Sequence, residues 1–236
     1  MSKFWELRPL ENTKGYGKPV EWFDSEAGFE RVYCPVHKGH QKPGKRIGDL
    51  SIIIKGSMLG DILWTWLGEC LIQDHVFTMF QEQNFTGFDV LPVEKVFLGK
   101  NIKFDVPKLY EVIVTGWAGD APKQSGVKLV DYCPYCGSAK FSEPSSPEFL
   151  IDEKQWDGND FFMVWPLPGY IFVTSRVADF LKIKRLRGYQ VIPVDKLSFE
   201  GSGLSPGAPP ANRCHQRFLY QNDGKILNWK EVLEKY

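Results

Sequence analysis

The sequence predicts an α+β protein of two pseudo-symmetric repeats packed around a shared zinc site. Two pairs of matching segments lead to this prediction. Cys34-Pro-Val-His37 is followed 99 residues later by Cys133-Pro-Tyr-Cys136. Asp61-Ile-Leu-Trp-Thr-Trp66 is followed at the same offset by Asp160-Phe-Phe-Met-Val-Trp165. Self-similarity at a fixed spacing indicates a duplicated structural unit.

A third pair of segments extends the match at a slightly longer offset. Gly87-Phe-Asp-Val-Leu-Pro-Val-Glu-Lys-Val96 aligns with Gly188-Tyr-Gln-Val-Ile-Pro-Val-Asp-Lys-Leu197. We expect each leading glycine to end a helix, because glycine readily takes the left-handed conformation found there. The apolar residues that follow have the composition of a strand.

The repeat divides the chain into three parts. Residues 1–98 form a first half, residues 99–198 form a second half, and residues 199–236 form a tail without a counterpart in the first half. The tail begins with a stretch rich in Gly, Pro and Ser, which predicts a loop, and continues with a predicted hairpin and short helix. Residues 38–47 are also predicted to form a loop.

Each half is predicted to contain a strand, an amphipathic helix and a second strand. Large apolar residues recur at i, i+3 and i+4 over residues 76–80 and again over residues 177–181. This spacing places them on one face of a helix, so both faces should pack against a core. Asp74 and Ser175 are the predicted N-caps, because their side-chain oxygens can accept hydrogen bonds from free backbone amides.

The two Cys-Pro motifs predict a structural zinc site with Cys34, His37, Cys133 and Cys136 as ligands. Zinc prefers a tetrahedron of thiolate and imidazole ligands, and a tight CxxC or CxxH turn supplies two of them. Because each half supplies only two ligands, the site forms only when the halves pack together. A complete set of four ligands leaves no position for a substrate, which favours a structural role.

Other interpretations of these residues remain open. His40 follows His37 closely and is an alternative fourth ligand. Cys133 and Cys136 are also spaced like a redox-active pair, in which case Cys34 is an ordinary small buried residue. Cys70, in an apolar segment, is predicted to lie in the core.

Composition excludes some classes of protein. The 236 residues are 43% apolar, and 29 basic residues balance 29 acidic residues. A balanced chain lacks the long-range field that gathers nucleic acid or a membrane surface. No apolar run resembles a signal peptide or a membrane span, so we expect a cytoplasmic protein without a membrane partner. No serine-hydrolase, metalloprotease or phosphate-loop motif is present, and we expect no enzymatic activity.

The segment Lys182-Ile-Lys-Arg-Leu-Arg187 supports a competing function, a zinc-ribbon protein that binds nucleic acid. It concentrates four cations in six residues. The corresponding segment of the first half, Gln81-Glu-Gln-Asn84, carries no cation. The basic run is therefore not a property of the shared scaffold, and we interpret it as a solvated helix end whose charges complement the helix dipole. Nucleic acid is thus not the expected partner.

The order of motifs resembles the double-CXXCG motif family of myxobacterial paralogues and, more distantly, the repeat unit of a second type of bacterial immunity protein. The resemblance rests on the Phe/Trp-rich opening Phe4–Leu7, the knuckle that begins at Cys34, the Cys133-Pro-Tyr-Cys-Gly137 knuckle and the run from Asp160 to Val194. It covers about residues 1–198.

The resemblance implies an immunity protein, an antitoxin that binds and neutralises a cognate secreted polymorphic toxin in the cytoplasm. The sequence departs from the family pattern in two places. The first motif reads CPVH without a following glycine, and residues 199–236 extend past the usual end. The tail is therefore a candidate for contacts specific to the partner.

Overall fold

The computed structural model describes residues 2–10, 21–22, 29–32, 34–40, 42–46, 50–54, 59–65, 68–99, 105–133, 135 and 138–199. Within these residues the chain is a mixed α+β protein, mostly strands with two helices. The predicted hairpin and helix of the tail lie outside the described residues. Neither described helix has the length and apolar character needed to cross a membrane.

The elements follow one another along the chain in this order. The strands are β1 (Phe4–Pro9), β2 (Glu21–Trp22), β3 (Phe29–Val32), β4 (Lys42–Arg46), β5 (Ser51–Ile54), β6 (Ile62–Trp64), β7 (Cys70–Gln73), β8 (Phe88–Pro92), β9 (Lys95–Leu98), β10 (Leu109–Val114), β11 (Gly116–Asp120), β12 (Leu129–Tyr132), β13 (Ala139–Phe141), β14 (Phe161–Trp165), β15 (Ile171–Thr174) and β16 (Tyr189–Pro193). The helices are α1 (Asp74–Glu82) and α2 (Ser175–Ile183). Strand β4 occupies part of the predicted loop over residues 38–47, so that prediction is wrong there.

Two larger sheets form the centre of the fold. The five-stranded sheet has the order β11-β14-β15-β1-β16, and the four-stranded sheet has the order β6-β7-β10-β8. Neighbouring strands are antiparallel in both, except for the parallel pair β11 and β14. A three-stranded sheet β2-β5-β9 and the hairpins β3–β4 and β12–β13 complete the described strands.

The two larger sheets exchange a strand. The order β14-β15-β1-β16 corresponds to β6-β7-β10-β8, with one helix joining the second and last strands of each set. Strand β1 comes from the first half but pairs with β15 and β16. Strand β10 comes from the second half but pairs with β7 and β8. Each sheet therefore requires residues from both halves of the chain.

Backbone hydrogen bonds between the halves occur at corresponding positions. The amide of Ile62 donates to the carbonyl of Arg187 at 3.0 Å, and the amide of Phe161 donates to the carbonyl of Thr86 at 2.9 Å. Each bond joins the first residue of a strand in one half to the turn that follows the helix of the other half. The turns are thus fixed by the opposite half of the chain.

Gly87 and Gly188 allow the backbones of the two halves to approach closely. Their φ angles are +83° and +95°, in the left-handed region that favours glycine. A Cβ atom at Gly87 would lie 2.0 Å from the carbonyl oxygen of Phe161, and one at Gly188 would lie 2.0 Å from that of Ile62. Both the conformation and the space therefore require glycine.

We expect Gly87→Ala and Gly188→Ala to destabilise the protein much more than Gly68→Ala. Gly68 has a similar φ of +85°, but no atom of the described residues lies within 4 Å of its Cβ position. The substitution at Gly68 adds only backbone strain of about 1–2 kcal/mol. The substitutions at Gly87 and Gly188 also push the backbones of the two halves apart. Urea denaturation measures the difference in unfolding free energy. Equal losses for Gly87→Ala and Gly68→Ala would show that the close approach does not exist.

Both predicted N-caps are displaced by one residue. The helices begin at Asp74 and Ser175 themselves, and the N-cap positions are Gln73 and Thr174, neither with a capping side-chain hydrogen bond. The side chain of Asp74 instead accepts a hydrogen bond from the hydroxyl of Tyr110 at 3.0 Å. The cap prediction fails because a neighbouring strand offers this carboxylate a different donor.

The helices also end earlier than predicted. Helix α1 ends at Glu82 and α2 at Ile183, several residues before the predicted glycines. The first left-handed residues after the helices are Asn84 and Arg185, both with φ of 52°. The helix ends are thus set by these residues, and the glycines serve the contact between the halves.

The predicted apolar helix faces pack into one core. Val76 and Phe80 of α1 are buried, as are Val177 and Leu181 of α2. The prediction that both faces meet a core is confirmed. These side chains belong to a large cluster that draws residues from both larger sheets.

Aromatic rings fill the region where the two helices approach each other. The ring centroid of Phe80 lies 5.5 Å from that of Phe161 and 6.3 Å from that of Phe180. Phe85 lies 5.3 Å from Phe180 with the ring planes at 82°. The two pairs that Phe180 makes, with Phe80 and with Phe85, are edge-to-face, and such pairs are favourable beyond the area they bury. The core therefore joins the two halves through side chains as well as through backbone.

Candidate metal centre

Cys34 and Cys133 each follow the first strand of a hairpin. Cys34 lies between β3 and β4, and Cys133 lies between β12 and β13. The amide of Cys133 donates to the carbonyl of Ser138 at 2.8 Å, and this hydrogen bond joins the two sides of the turn between β12 and β13. Each hairpin thus presents a cysteine at the turn, where a knuckle would hold a metal ion.

The structure brings Cys34, His40 and Cys133 together. Their ligand atoms all lie within 4.8 Å of one another. The two sulfur atoms are 3.7 Å apart. Two thiolates at the usual Zn–S distance in a tetrahedron are separated by about 3.8 Å, whereas bonded sulfurs are separated by only about 2.05 Å. The spacing fits the edge of a metal tetrahedron, so these residues can hold a metal ion.

A backbone group of His37 contacts the sulfur of Cys34. The amide of His37 donates to the Cys34 sulfur at 3.2 Å. His37 therefore acts on the site through its backbone, whether or not its side chain is a ligand.

A short 3₁₀ turn over Lys38–His40 carries the histidine of this group. The amide of His40 donates to the carbonyl of His37 at 3.0 Å, which closes the turn. His40 is half-buried and His37 is exposed, with their ring centroids 4.9 Å apart. His40, the alternative suggested by the sequence, thus supplies the imidazole beside the two sulfurs.

The four ligands predicted from the sequence have different outcomes. Cys34 and Cys133 lie in one cluster despite their separation along the chain. Cys136 lies outside the described residues, and its ligation stays a prediction. His37 lies beside the cluster, and its ligation also stays a prediction. The CPVH spacing alone gave no signal for His40, because its position depends on the turn that follows His37.

Cys70 plays no part in this centre. It lies in β7 with 2% of its surface exposed, so the prediction of a core position is confirmed. Burial, with a smaller effect from Glu111, raises the pKa of its thiol far above the usual value. A small cavity of about 20 Å³ has both Cys70 and Tyr170 in its lining. This volume is about that of one water molecule.

Asp61 is a buried carboxylate that joins the two halves. Its carboxylate accepts hydrogen bonds from the backbone amide of Arg187 at 2.7 Å and from the Nε of the same residue at 3.2 Å. The Nε2 atom of the exposed His75 lies 3.4 Å from the same carboxylate. The two hydrogen bonds from Arg187 thus attach the carboxylate of Asp61 to the turn after α2.

Asp160, in the second half, makes the corresponding contacts with the turn after α1 in the first half. It accepts from the backbone amide of Thr86 at 3.2 Å, from the hydroxyl of Thr174 at 2.9 Å and from Arg176 at 2.7 Å. Arg176 also donates to the carbonyl of Gln83. Both aspartates thus hold the turn that follows the helix of the other half, and we interpret them as structural residues rather than as general acids or bases.

No protein-family model matches the chain, and no curated protein matches it significantly.

His40→Ala and His37→Ala form a matched pair that tests the assignment of the histidine ligand. We expect His40→Ala to lower the affinity for zinc at least tenfold, because it removes an imidazole from the cluster. We expect His37→Ala to bind zinc almost as the wild type, since its amide still donates to Cys34. Competition with a chromogenic zinc chelator measures both affinities. Loss of zinc from His37→Ala alone would identify His37 as the ligand.

Proposed function

We propose that this protein is a cytoplasmic immunity protein, made of two pseudo-symmetric repeats clamped by a structural zinc ion, which binds and neutralises a cognate secreted toxin. In this proposal it acts by binding and not by catalysis. The observation that carries the proposal is the cluster of Cys34, His40 and Cys133, which joins two hairpins from opposite halves of the chain. Each hairpin carries the first cysteine of one of the two Cys-Pro motifs on which the family resemblance rests.

The ligand types favour zinc over other metals. Two sulfurs and one imidazole form a soft donor set, whereas magnesium and calcium prefer oxygen. Cys136, from the same knuckle as Cys133, would complete four protein ligands. A metal with four protein ligands has no open position for a substrate, and it contributes to folding instead.

A rigid surface suits a protein inhibitor. An inhibitor that is ordered before it meets its target loses little conformational freedom on binding, and most of the gain appears as slow dissociation. The exchanged strands, the reciprocal aspartates and the metal cluster all restrain one half of the chain against the other. These restraints support a preformed binding surface.

Growth of a bacterial host tests the proposed function. The protein encoded by the neighbouring gene is expressed alone and together with this chain. We expect the neighbour alone to arrest growth, the pair to grow normally, and the two proteins to purify as a complex. A harmless neighbour, or rescue of growth without a complex, would contradict the proposal.

Cys133→Ser and Cys136→Ser test the clamp against Cys70→Ala as control. Each of the first two removes a proposed ligand, so we expect loss of bound zinc and a fall in the thermal midpoint of roughly 10 °C or more. Cys70→Ala perturbs a buried core position away from the metal and should lower the midpoint while keeping the zinc. Elemental analysis and calorimetry measure the two quantities. Full zinc content in both serine variants would exclude this site.

A further inference from the structure

The end of α2 and the turn after it form an exposed surface that is both cationic and apolar. Lys182, Ile183, Lys184 and Arg185 are all exposed. Ile183 is 76% exposed, more than any other large apolar side chain among the described residues. We call these four residues the α2 surface. An apolar side chain surrounded by charges is the arrangement found at the centres and rims of protein interfaces.

The matching end of α1 shows that the fold does not require this surface. The corresponding residues are Gln81, Glu82, Gln83 and Asn84, which include no cation and no large apolar side chain. The backbone is the same in both places, since both helices have nine residues and both turns reach φ of 52° at the same position. The character of the α2 surface therefore comes from its side chains alone.

Arg185 occupies a backbone conformation that its residue type disfavours. Asparagine is several-fold enriched in the left-handed region, so Asn84 suits its position. A residue with a long side chain is strained there, because its Cβ lies too close to the following carbonyl oxygen. Strained residues of this kind concentrate at functional sites, where the side chain is needed. The strain at Arg185 is therefore explained if its guanidinium has a partner outside the chain.

The cations of the α2 surface are available to such a partner. Among the described residues, neither Lys184 nor Arg185 has a carboxylate within 4.0 Å, while Arg187 nearby is bound to Asp61. The ammonium of Lys182 lies 3.7 Å from the ring centroid of Trp5, which holds that side chain against the sheet. The charges are thus presented by an ordered element and are not neutralised within it.

We infer that the α2 surface docks an acidic patch of a partner protein whose own apolar side chain covers Ile183. The inference rests on the proposed function, in which that partner is the toxin. A protein is favoured over nucleic acid because the centre of the surface is aliphatic and the chain has no net charge to attract a polyanion from a distance. The surface lies on the second half only, so the partner binds one side of the pseudo-symmetric fold.

The double substitution Lys184→Glu with Arg185→Glu tests the charges, and Ile183→Ser tests the apolar contact. Gln83→Glu with Asn84→Asp places acidic residues at the matching positions of α1 and serves as the control. We expect the double charge reversal to weaken the complex with the neighbouring gene product at least 100-fold, mainly by slower and salt-dependent association. We expect Ile183→Ser to weaken it about tenfold through faster dissociation. The control should bind as the wild type.

Zinc content and thermal midpoint first show that each variant is folded, and growth rescue and surface plasmon resonance then decide the inference. If the wild type neutralises the toxin and the charge-reversed variant binds it equally well, the inference is wrong while the proposed function stands. Equal loss of binding in the α1 control would also overturn the inference. It would show that added negative charge anywhere on the protein weakens the complex, without a specific contact at the α2 surface.

Two labelled probes decide the inference if the wild type does not neutralise its neighbour, an outcome that refutes the proposed function itself. One is a 12-residue peptide of glutamates around two central leucines, and the other is a 12-nucleotide single-stranded RNA. Binding of the peptide that both Ile183→Ser and the charge reversal weaken supports a protein partner. No binding of the peptide, or stronger binding of the RNA lost on charge reversal, overturns the inference.

Discussion

The reciprocal contacts of Asp61 and Asp160 are the interaction on which the rest of the structure depends. Each carboxylate belongs to one half of the chain and accepts a hydrogen bond from a backbone amide in the turn of the other half. Hydrogen bonds to charged groups contribute roughly 1.5–3 kcal/mol each. The same turns carry Gly87 and Gly188, whose lack of a side chain allows the backbones to meet. Once these turns are fixed, the aromatic ring of Phe80 on α1 lies near that of Phe180 on α2.

The cluster of Cys34, His40 and Cys133 brings together another pair of chain segments. The aspartates join the two larger sheets, whereas Cys34, His40 and Cys133 join two separate hairpins. Neither hairpin takes part in the larger sheets. A metal ion here would tie the β3–β4 hairpin to the β12–β13 hairpin, whose Ala139 and Phe141 are buried in the central core.

The sequence predicted what depends on local periodicity and missed what depends on distant partners. The apolar faces of α1 and α2 follow from side-chain spacing, which is a local property. The exchange of β1 and β10 was not predicted, because strand pairing is decided by residues far apart in the chain. The involvement of His40 was left open for a related reason. It depends on the 3₁₀ turn after His37, and sequence spacing specifies ligand types better than turn geometry.

The exchanged strands have a consequence for synthesis of the protein on the ribosome. Strand β1 leaves the ribosome long before its partners, Ile171–Thr174 and Tyr189–Pro193. The nascent chain must therefore keep this strand unpaired until both partner strands have been synthesised. Contacts between such distant residues slow folding and expose the intermediate to aggregation. The five-stranded sheet can therefore be completed only after the residues up to Pro193 have left the ribosome.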